Sequence, residues 1–240
     1  MKVIDIPLGT SDFAEIRTKG YYYVDKTGLV YELLKAQGTK VTLITRPRRF
    51  GKTLAMSMLE NFFDIHKDSA GLFKGLEIER HNKVCAEWMN QWPVISISFK
   101  AIEGNDFSTA YQQLVYEIGE LYTQHEYLLE GSVLSMDEKE LFTSIKERKA
   151  GKIEVMRSLQ ILSKFLNRYY NKQVILLMDE YDVPVAKATT YGYYNEMLEI
   201  MKGLMQALKD NQYLQFAVIT GCLKIAKESI FTGTNNFVSV

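Results

Sequence analysis

The chain has 240 residues, of which 47% are hydrophobic, and its 29 acidic and 29 basic residues leave no net charge at pH 7. This length and composition predict one large folded domain and exclude a disordered chain. The charge balance gives no overall attraction to nucleic acid or to an anionic membrane surface. Cys85 and Cys222 lie far apart and in no metal-ligand spacing, so we expect reduced thiols.

The location of the protein is predicted from its apolar segments. Residues 1–6 form a short mixed run followed at once by Asp12 and Glu15, which does not resemble a signal peptide. The longest apolar run, residues 174–178, is far too short to cross a bilayer. We therefore expect a cytoplasmic protein with no membrane partner. The histidines share no ligand spacing, which argues against a zinc site.

The predicted elements begin with a lead-in segment at residues 1–39, which holds one helix near residues 26–37, and continue in one domain at residues 40–240. Apolar segments rich in Val, Ile and Leu predict buried strands at residues 41–45, 94–99, 174–178 and 216–220. Amphipathic patterns predict helices at residues 54–65, 107–122, 155–169 and 193–208. The alternation predicts an α/β fold of three layers with a mainly parallel sheet.

Two further regions complete the predicted organisation. Residues 123–152 are polar and charged, with a capping-box pattern at Ser135 and Glu138, and predict a helical insertion over the surface. A fifth strand would begin near residue 235. Because the chain ends at Val240, we expect a shortened chain whose sheet is thin beside the first strand.

A phosphate-binding loop, or P-loop, is predicted where the first strand gives way to a helix. Gly51, Lys52 and Thr53 supply a tight turn, a cation for the phosphates and a hydroxyl for magnesium. The full pattern has a glycine five positions before Gly51, where this chain has Arg46. Gly-Lys-Thr alone also fits a helix start with a solvated lysine, so the flanking elements support the prediction. The expected nucleotide-contacting residues are Arg46, Pro47, Arg48, Arg49, Phe50, Gly51, Lys52, Thr53 and Leu54.

Asp179 and Glu180 end the third predicted strand, at the sheet edge where ligands of open α/β sheets collect. Asp179 is the predicted magnesium ligand together with Thr53. Glu180 is the predicted catalytic residue that polarises the attacking water, with Lys52 offsetting charge. The alternative is a strand that ends in an acidic loop. Residues 51–53 and 179–180, each at the carboxyl end of a strand, together favour a site for a nucleotide and magnesium. The guanine-reading Asn-Lys-x-Asp pattern is absent, which favours Mg-ATP over Mg-GTP.

Thr220 ends the fourth predicted strand and is a candidate sensor that would bond the attacking water or the γ-phosphate. A structural role for this threonine is the alternative. The arginines at positions 46, 48 and 49 either contact phosphate or pair with acids such as Asp182 and Glu180. Asp25-Lys26-Thr27 either approaches the nucleotide base or caps the first helix, and we favour capping.

The segments 20–27, 46–54, 178–182 and 219–231 together resemble the bacterial AAA-ATPase-like family from near the start of the chain to its end. In that family Arg-Pro-Arg-Arg-Phe-Gly-Lys-Thr is the usual form of the loop, so the resemblance makes Arg46 an expected variation. It implies a P-loop NTPase fold that binds ATP through Lys52, Thr53, Asp179 and Glu180. Family members often continue into a PD-(D/E)XK nuclease-like domain, which we do not expect in this chain.

Three functions remain open from the sequence. The leading hypothesis is an ATPase that uses Mg-ATP to change conformation. The second is a nucleotide-dependent switch or scaffold with negligible turnover, which would act on a protein partner. The third is a DNA-processing module acting with a nuclease domain, which the neutral charge does not support. An intersubunit arginine cannot be identified from one chain, so no oligomeric state is predicted.

Overall fold

The structure, a computed structural model, describes residues 6–7, 9–35, 40–47, 49–222 and 237–239. Its sheet consists of parallel strands β1 (Val41–Thr45), β2 (Val94–Ser98), β3 (Val174–Asp179), β4 (Leu214–Gly221) and β5 (Phe237–Ser239). Their order across the sheet is β2-β3-β4-β1-β5. The four predicted strands and the start of a fifth are confirmed. β4, which carries Thr220, lies between the strands that precede the two predicted motifs.

Helices connect the strands as the amphipathic patterns predict. The described helices are α1 (Phe13–Thr18), α2 (Gly28–Lys35), α3 (Lys52–Phe63), α4 (Asn82–Trp88), α5 (Phe107–Gln124), α6 (Met136–Lys146), α7 (Lys152–Tyr170), α8 (Val183–Tyr191) and α9 (Tyr194–Leu204). The helix predicted at 193–208 is α9 followed by a short 3₁₀ turn, Met205–Leu208. The short helices α1, α4 and α8 were not predicted, because two turns leave little periodic pattern to detect.

The sheet separates two hydrophobic cores. Along β3, Ile175 and Leu177 face one core, while Val174, Leu176 and Met178 face the other. Helices α1 to α4 cover the first face, and α5 to α9 cover the second. Both faces of the parallel strands are therefore buried, which explains why these segments are continuously apolar in the sequence. The three-layer α/β fold is as predicted.

Local hydrogen bonds fix several helix ends. The side chain of Asp106 accepts from the Thr109 backbone N–H and caps α5. Ser135 and Glu138 form the predicted capping box at the start of α6. Asn171 adopts the left-handed conformation that ends α7 one turn before β3. These ends orient α5, α6 and α7 on the face of the sheet that does not carry α3.

The lead-in segment packs against the helix that follows the phosphate loop. The Phe13 backbone N–H donates to Ser57 Oγ of α3 at 3.0 Å. The Phe13 ring lies 5.0 Å from the Phe73 ring and 5.3 Å from the Tyr23 ring, measured between centroids. Residues 13–23 thus contribute to the core beneath α3. Across the described part of the chain, no helix is both long enough and apolar enough to cross a membrane.

Candidate functional site

The loop between β1 and α3 has the backbone conformation of a tight turn leading into a helix. Gly51 is the N-cap of α3 with φ 75°, a left-handed conformation that glycine adopts without strain. Arg49 is the second left-handed residue in the described part of this loop, with φ 69°. Arg46 is not left-handed, so the backbone does not require glycine at that position. The loop therefore accommodates the arginine that departs from the full phosphate-loop pattern; Arg48 lies outside the described residues.

Lys52 begins α3, and its side chain folds back over the loop. Its ammonium group donates to the Arg46 carbonyl at 2.8 Å, to the Pro47 carbonyl at 3.1 Å and to Cys222 Sγ at 3.1 Å. These contacts use the three donors of the ammonium group, and the side chain is only 7% exposed. The positive charge is thus held inside the curve of the loop, at the amino terminus of α3.

Asp179 lies at the carboxyl end of β3 and is 4% exposed. One of its carboxylate oxygens, Oδ1, accepts the hydroxyl hydrogen of Thr220. The other, Oδ2, is buried and makes no hydrogen bond with any residue that the structure describes. A buried carboxylate oxygen without a partner is energetically costly, because the charge has lost its water. This oxygen is therefore well suited to a cation or to cation-bound water.

The two predicted metal ligands line the same cavity. Thr53 and Asp179 contribute to a cavity of about 160 Å³ whose other polar walls come from Ser57, Glu60, Ser96 and Ser98. Nowhere in the described residues do three or more His, Cys, Asp or Glu side chains gather as a metal site. Magnesium does not need such a cluster, because it is commonly held by one or two protein oxygens, water and phosphate. The residues present therefore fit Mg²⁺ bound together with a nucleotide.

Glu180 follows Asp179 in an unusual backbone conformation. Its φ is 54°, in the left-handed region that glutamate rarely adopts. Its backbone N–H donates to Thr220 Oγ1 at 3.2 Å, and its side chain is half-buried. Strained non-glycine residues of this kind cluster at functional sites. The catalytic role of Glu180 stays a prediction.

Comparison with known proteins assigns this arrangement to a family. The family described as Predicted AAA-ATPase matches residues 7–231. The chain belongs to this AAA-ATPase-like family. An uncharacterized protein in the vnfD 5' region of Azotobacter chroococcum mcd 1 is 32% identical over 234 residues, which is 96% of this chain. The chain spans 40% of the length of that relative. No solved structure matches this chain significantly.

Membership of this family supports ATP binding by the chain. The residues that the family matches include the predicted phosphate loop, Asp179 and Glu180 at the end of β3, and Thr220 near the end of β4. These residues converge because β1, β4 and β3 are neighbours in the sheet and end at the same edge. The resemblance inferred from four sequence segments is confirmed.

Asp182 and Tyr181 lie beside the candidate site, and from the sequence neither had a role there, beyond Asp182 being named as a possible partner of the arginines. The Asp182 carboxylate accepts from the Cys222 backbone N–H at 2.9 Å, and this bond joins the loops after β3 and β4. The Tyr181 N–H also donates to the Thr220 carbonyl at 3.1 Å. Burial raises the pKa of the Tyr181 phenol, and the nearby Asp182 raises it further. The sequence could have pointed to these two residues, because they directly follow the predicted motif at Asp179 and Glu180.

The remaining loop residues are largely exposed. Arg46, Pro47 and Arg49 are exposed, the Phe50 side chain is 60% exposed, and Leu54 packs partly against the core beneath α3. Neither Arg46 nor Arg49 forms a salt bridge with a carboxylate in the part of the chain that the structure describes. Among the described residues, the alternative in which these two arginines pair with acidic residues is therefore not seen.

Proposed function

We propose that the chain binds Mg-ATP at the edge formed by β1, β4 and β3 and hydrolyses it to drive a conformational change. One observation carries this proposal: Thr53 and Asp179, which are distant in the sequence, line one cavity, and Asp179 has a buried oxygen with no hydrogen bond among the described residues. Family membership supports the ATP-binding part. Hydrolysis and its mechanical consequence are inferred from the positions of Glu180 and Thr220.

Phosphate binding follows from the loop and the first turn of α3. Backbone N–H groups at a helix amino terminus favour an anion because they have no intrahelical acceptor and carry partial positive charge. In the structure, the Lys52 ammonium group donates hydrogen bonds to the carbonyls of Arg46 and Pro47. A bound phosphate would offer stronger, charge-assisted hydrogen bonds to the same ammonium group. The lysine would therefore move from the loop carbonyls to the phosphates.

Magnesium would be held by Thr53 Oγ1 and by Asp179, directly or through water. Bound in this position, the ion would neutralise charge on the phosphate oxygens. Thr220 fixes the orientation of Asp179 by donating to Oδ1, which leaves Oδ2 as the oxygen that the ion or its water would use. The protein's own contribution is thus a carboxylate whose orientation is set before the ligand arrives.

Hydrolysis requires a water molecule to attack the γ-phosphorus while the bond to the β-phosphate oxygen breaks. We assign Glu180 to the attacking water: its carboxylate accepts a hydrogen bond from this water and takes up its proton. The Glu180 backbone is held by Thr220 Oγ1. Lys52 and one loop arginine would offset the charge that moves to the leaving oxygens.

A second function, a nucleotide-dependent switch with negligible turnover, is favoured by the contacts of Lys52. Because this lysine bonds to loop carbonyls and to Cys222 after β4, its transfer to phosphate would release contacts between two loops. Nucleotide occupancy alone would then change the conformation, and hydrolysis would not be needed for signalling. A protein partner would then respond to that change in conformation.

The two functions are separated by three variants measured for Mg-ATP binding and phosphate release. We expect Lys52→Ala to weaken ATP binding by about 100-fold, because charge-assisted contacts to the phosphates are lost. Glu180→Gln should keep binding and lower turnover by at least about 100-fold. Asp179→Asn should reduce the dependence of ATP binding on Mg²⁺. The exposed Glu140→Gln serves as the carboxylate control and should behave as the unaltered chain.

Two outcomes would contradict the leading proposal. If the unaltered chain binds Mg-ATP but releases phosphate no faster than Glu180→Gln, the switch function is correct. If Mg-ATP neither binds nor raises the melting temperature of the unaltered chain, both functions are wrong, because a ligand that binds the native state must stabilise it.

A further inference from the structure

Lys26 precedes α2 but reaches the phosphate loop. Its ammonium group donates to the Phe50 carbonyl at 3.2 Å. It also lies 3.2 Å from the position that a Cβ atom on Gly51 would occupy. Gly51 is the N-cap of α3. The fold thus brings a lysine from the lead-in segment to the amino terminus of the same helix that begins with Lys52.

The residues on both sides of Lys26 hold it in this position. Asp25 Oδ1 accepts from the Thr27 N–H at 2.9 Å and from its hydroxyl at 2.7 Å, and Asp25 Oδ2 accepts from the Glu77 N–H at 2.7 Å. Thr27 Oγ1 accepts from the Ile78 N–H at 3.1 Å, and Thr27 is fully buried. The backbone at residue 26 is therefore anchored to the 3₁₀ turn Glu77–Arg80.

Both oxygens of the Asp25 carboxylate are used in hydrogen bonds to Thr27 and Glu77. Burial acts to raise its pKa, but hydrogen bonds from the backbone N–H groups of Thr27 and Glu77 outweigh burial and lower the pKa below its usual value. Asp25 consequently stays ionised and bonded to these groups. From the sequence, the Asp25-Lys26-Thr27 segment was either a helix cap or a nucleotide contact. In the structure it is hydrogen-bonded to a neighbouring turn, and it places Lys26 against the loop.

The charge of Lys26 is poorly compensated at this place. A cation at a helix amino terminus is repelled by the partial positive charge of the helix end, and Lys52 adds a second cation there. Among the described residues, no carboxylate lies within salt-bridge distance of Lys26, and the loop residues Arg46 and Arg49 also lack such a partner. An anion with several charges would compensate this group of cations.

We infer that Lys26 is a second phosphate-binding lysine, whose ammonium group contacts a terminal phosphate of the bound nucleoside triphosphate. This inference rests on the proposed function. Among the described residues, the hydrogen-bond partner of the ammonium group is a neutral carbonyl, and a phosphate oxygen is the stronger acceptor. Glycine at position 51 leaves the space through which the lysine approaches the helix end. The competing role is a structural clip that only shapes the loop through Phe50.

The test compares dissociation constants for Mg-ATP, ADP and AMP across the unaltered chain, Lys26→Ala and Lys26→Arg. We expect Lys26→Ala to weaken ATP binding by about 10- to 100-fold, as loss of one charge-assisted contact predicts. AMP binding should change much less, because AMP lacks the terminal phosphates. Lys26→Arg should restore most ATP affinity, and the effect of Lys26→Ala should shrink as salt is raised. Lys35→Ala, an exposed lysine at the other end of α2, should match the unaltered chain.

Several results would overturn the inference. Equal losses for ATP and AMP, with a lower melting temperature in the absence of nucleotide, would show a structural clip. Unchanged ATP affinity in Lys26→Ala would show that the lysine does not contact phosphate. Lys26→Gln keeps a hydrogen-bond donor without the charge, so ATP affinity equal to that of the unaltered chain would also contradict a phosphate contact. If the unaltered chain binds no ATP, the proposed function itself is wrong, and this inference is wrong with it.

Discussion

At the scale of single residues, the hydroxyl of Thr220 links the two acidic residues that end β3. It donates to Asp179 Oδ1 and accepts from the backbone N–H of Glu180. One buried side chain thus orients the predicted magnesium ligand and the backbone of the predicted catalytic glutamate. The sequence left structural and sensor roles open for Thr220. The structure gives it a structural role inside the site, and contact with the attacking water stays a prediction.

Gly221, the next residue, allows the loops after β3 and β4 to approach closely. A Cβ atom at this position would lie 2.5 Å from Tyr181 Cε1 and 2.8 Å from Asp182 Oδ1. Both contacts are far below van der Waals distance, and both neighbours are buried. The space at residue 221 therefore determines whether the Asp182–Cys222 hydrogen bond can form.

We predict that Gly221→Ala destabilises the fold by about 1–3 kcal/mol, because the added methyl group must displace a packed tyrosine. Urea denaturation measures this change. The matched control is Gly71→Ala, where nothing lies within 4 Å of the added Cβ atom and the backbone is not left-handed. That control should change stability by less than about 0.5 kcal/mol. A Gly221→Ala variant as stable as the control would show that the two loops can separate freely.

The sequence located most of the candidate site because its residues occur in short motifs at strand ends. Lys52, Thr53, Asp179 and Thr220 are found this way, since parallel strands end at one edge of the sheet. Cys222 was not assigned to it, Asp182 was named only as a possible partner of the arginines, and Lys26 was placed in a segment that we favoured as a helix cap. Their contacts depend on how separate loops pack, and no spacing along the chain encodes the distance between Lys26 and Phe50. Only the folded chain could show these contacts.

At the scale of elements, α6 shows how a local sequence pattern defines a helix and its packing. Ser135 and Glu138 form a reciprocal capping box. The Glu138 carboxylate also forms salt bridges with Lys164 at 2.8 Å and Arg168 at 2.7 Å, both on α7. The box was predictable because it lies within four residues. The bridges were not, because they depend on α6 lying beside α7.

We predict that Ser135→Ala lowers the free energy of unfolding by about 1 kcal/mol, the usual cost of removing a helix cap. Glu138→Ala should cost more, because it also leaves Lys164 and Arg168 without their partner. Chemical denaturation at pH 7 measures both losses. Asp137→Ala removes a neighbouring exposed carboxylate and should cost less than either variant. Equal stability of Ser135→Ala and Asp137→Ala would contradict a stabilising cap.

The contribution of Glu138 should depend on pH. Burial acts to raise its pKa, but hydrogen bonds from Lys164, the Ser135 N–H and Arg168 outweigh burial and lower the pKa to about 2. A carboxyl with a depressed pKa stabilises the folded state above its unfolded pKa. The stabilisation is therefore complete at neutral pH and is lost as the pH falls from the ordinary glutamate pKa of 4.5 towards about 2. The difference in the free energy of unfolding between Glu138→Ala and the unaltered chain should become smaller over that pH range.

At the scale of the whole molecule, a polar cluster joins the two helical layers at the edge of the sheet opposite the candidate site. His66 follows α3, and its Nε2 lies 3.0 Å from the Tyr127 hydroxyl and 2.5 Å from the Tyr170 hydroxyl. Nδ1 of His125 lies 3.2 Å from the Tyr127 hydroxyl. Tyr127 and Tyr170 belong to the opposite layer. This cluster connects the end of α3 to the ends of α5 and α7.

We predict that this cluster makes the fold less stable in acid. Burial, with a smaller contribution from the nearby His66, lowers the pKa of His125 from 6.5 to about 4. Between pH 6.5 and about pH 4, His125 is therefore protonated in the unfolded chain but not in the folded chain. The free energy of unfolding should fall by on the order of 3 kcal/mol as the pH drops through this window, with no contribution above it.

The measurement compares denaturation of the unaltered chain, His125→Gln and His81→Gln between pH 8 and pH 4. His125→Gln should lose this part of the pH dependence. His81→Gln, which removes a histidine stacked on Tyr31, should retain it. Parallel pH profiles for the unaltered chain and His125→Gln would show that His125 is protonated equally in the folded and unfolded chains.

The sequence by itself determined the fold class, the four main strands, the long helices and the strand-end motifs of this AAA-ATPase-like chain. These features follow from periodicity and from residues close together in the chain, which local physics dictates. The strand order, the unpartnered oxygen of Asp179 and the approach of Lys26 were decided only by the tertiary structure. Each depends on packing between segments far apart in sequence, where distance and burial are set by the whole core.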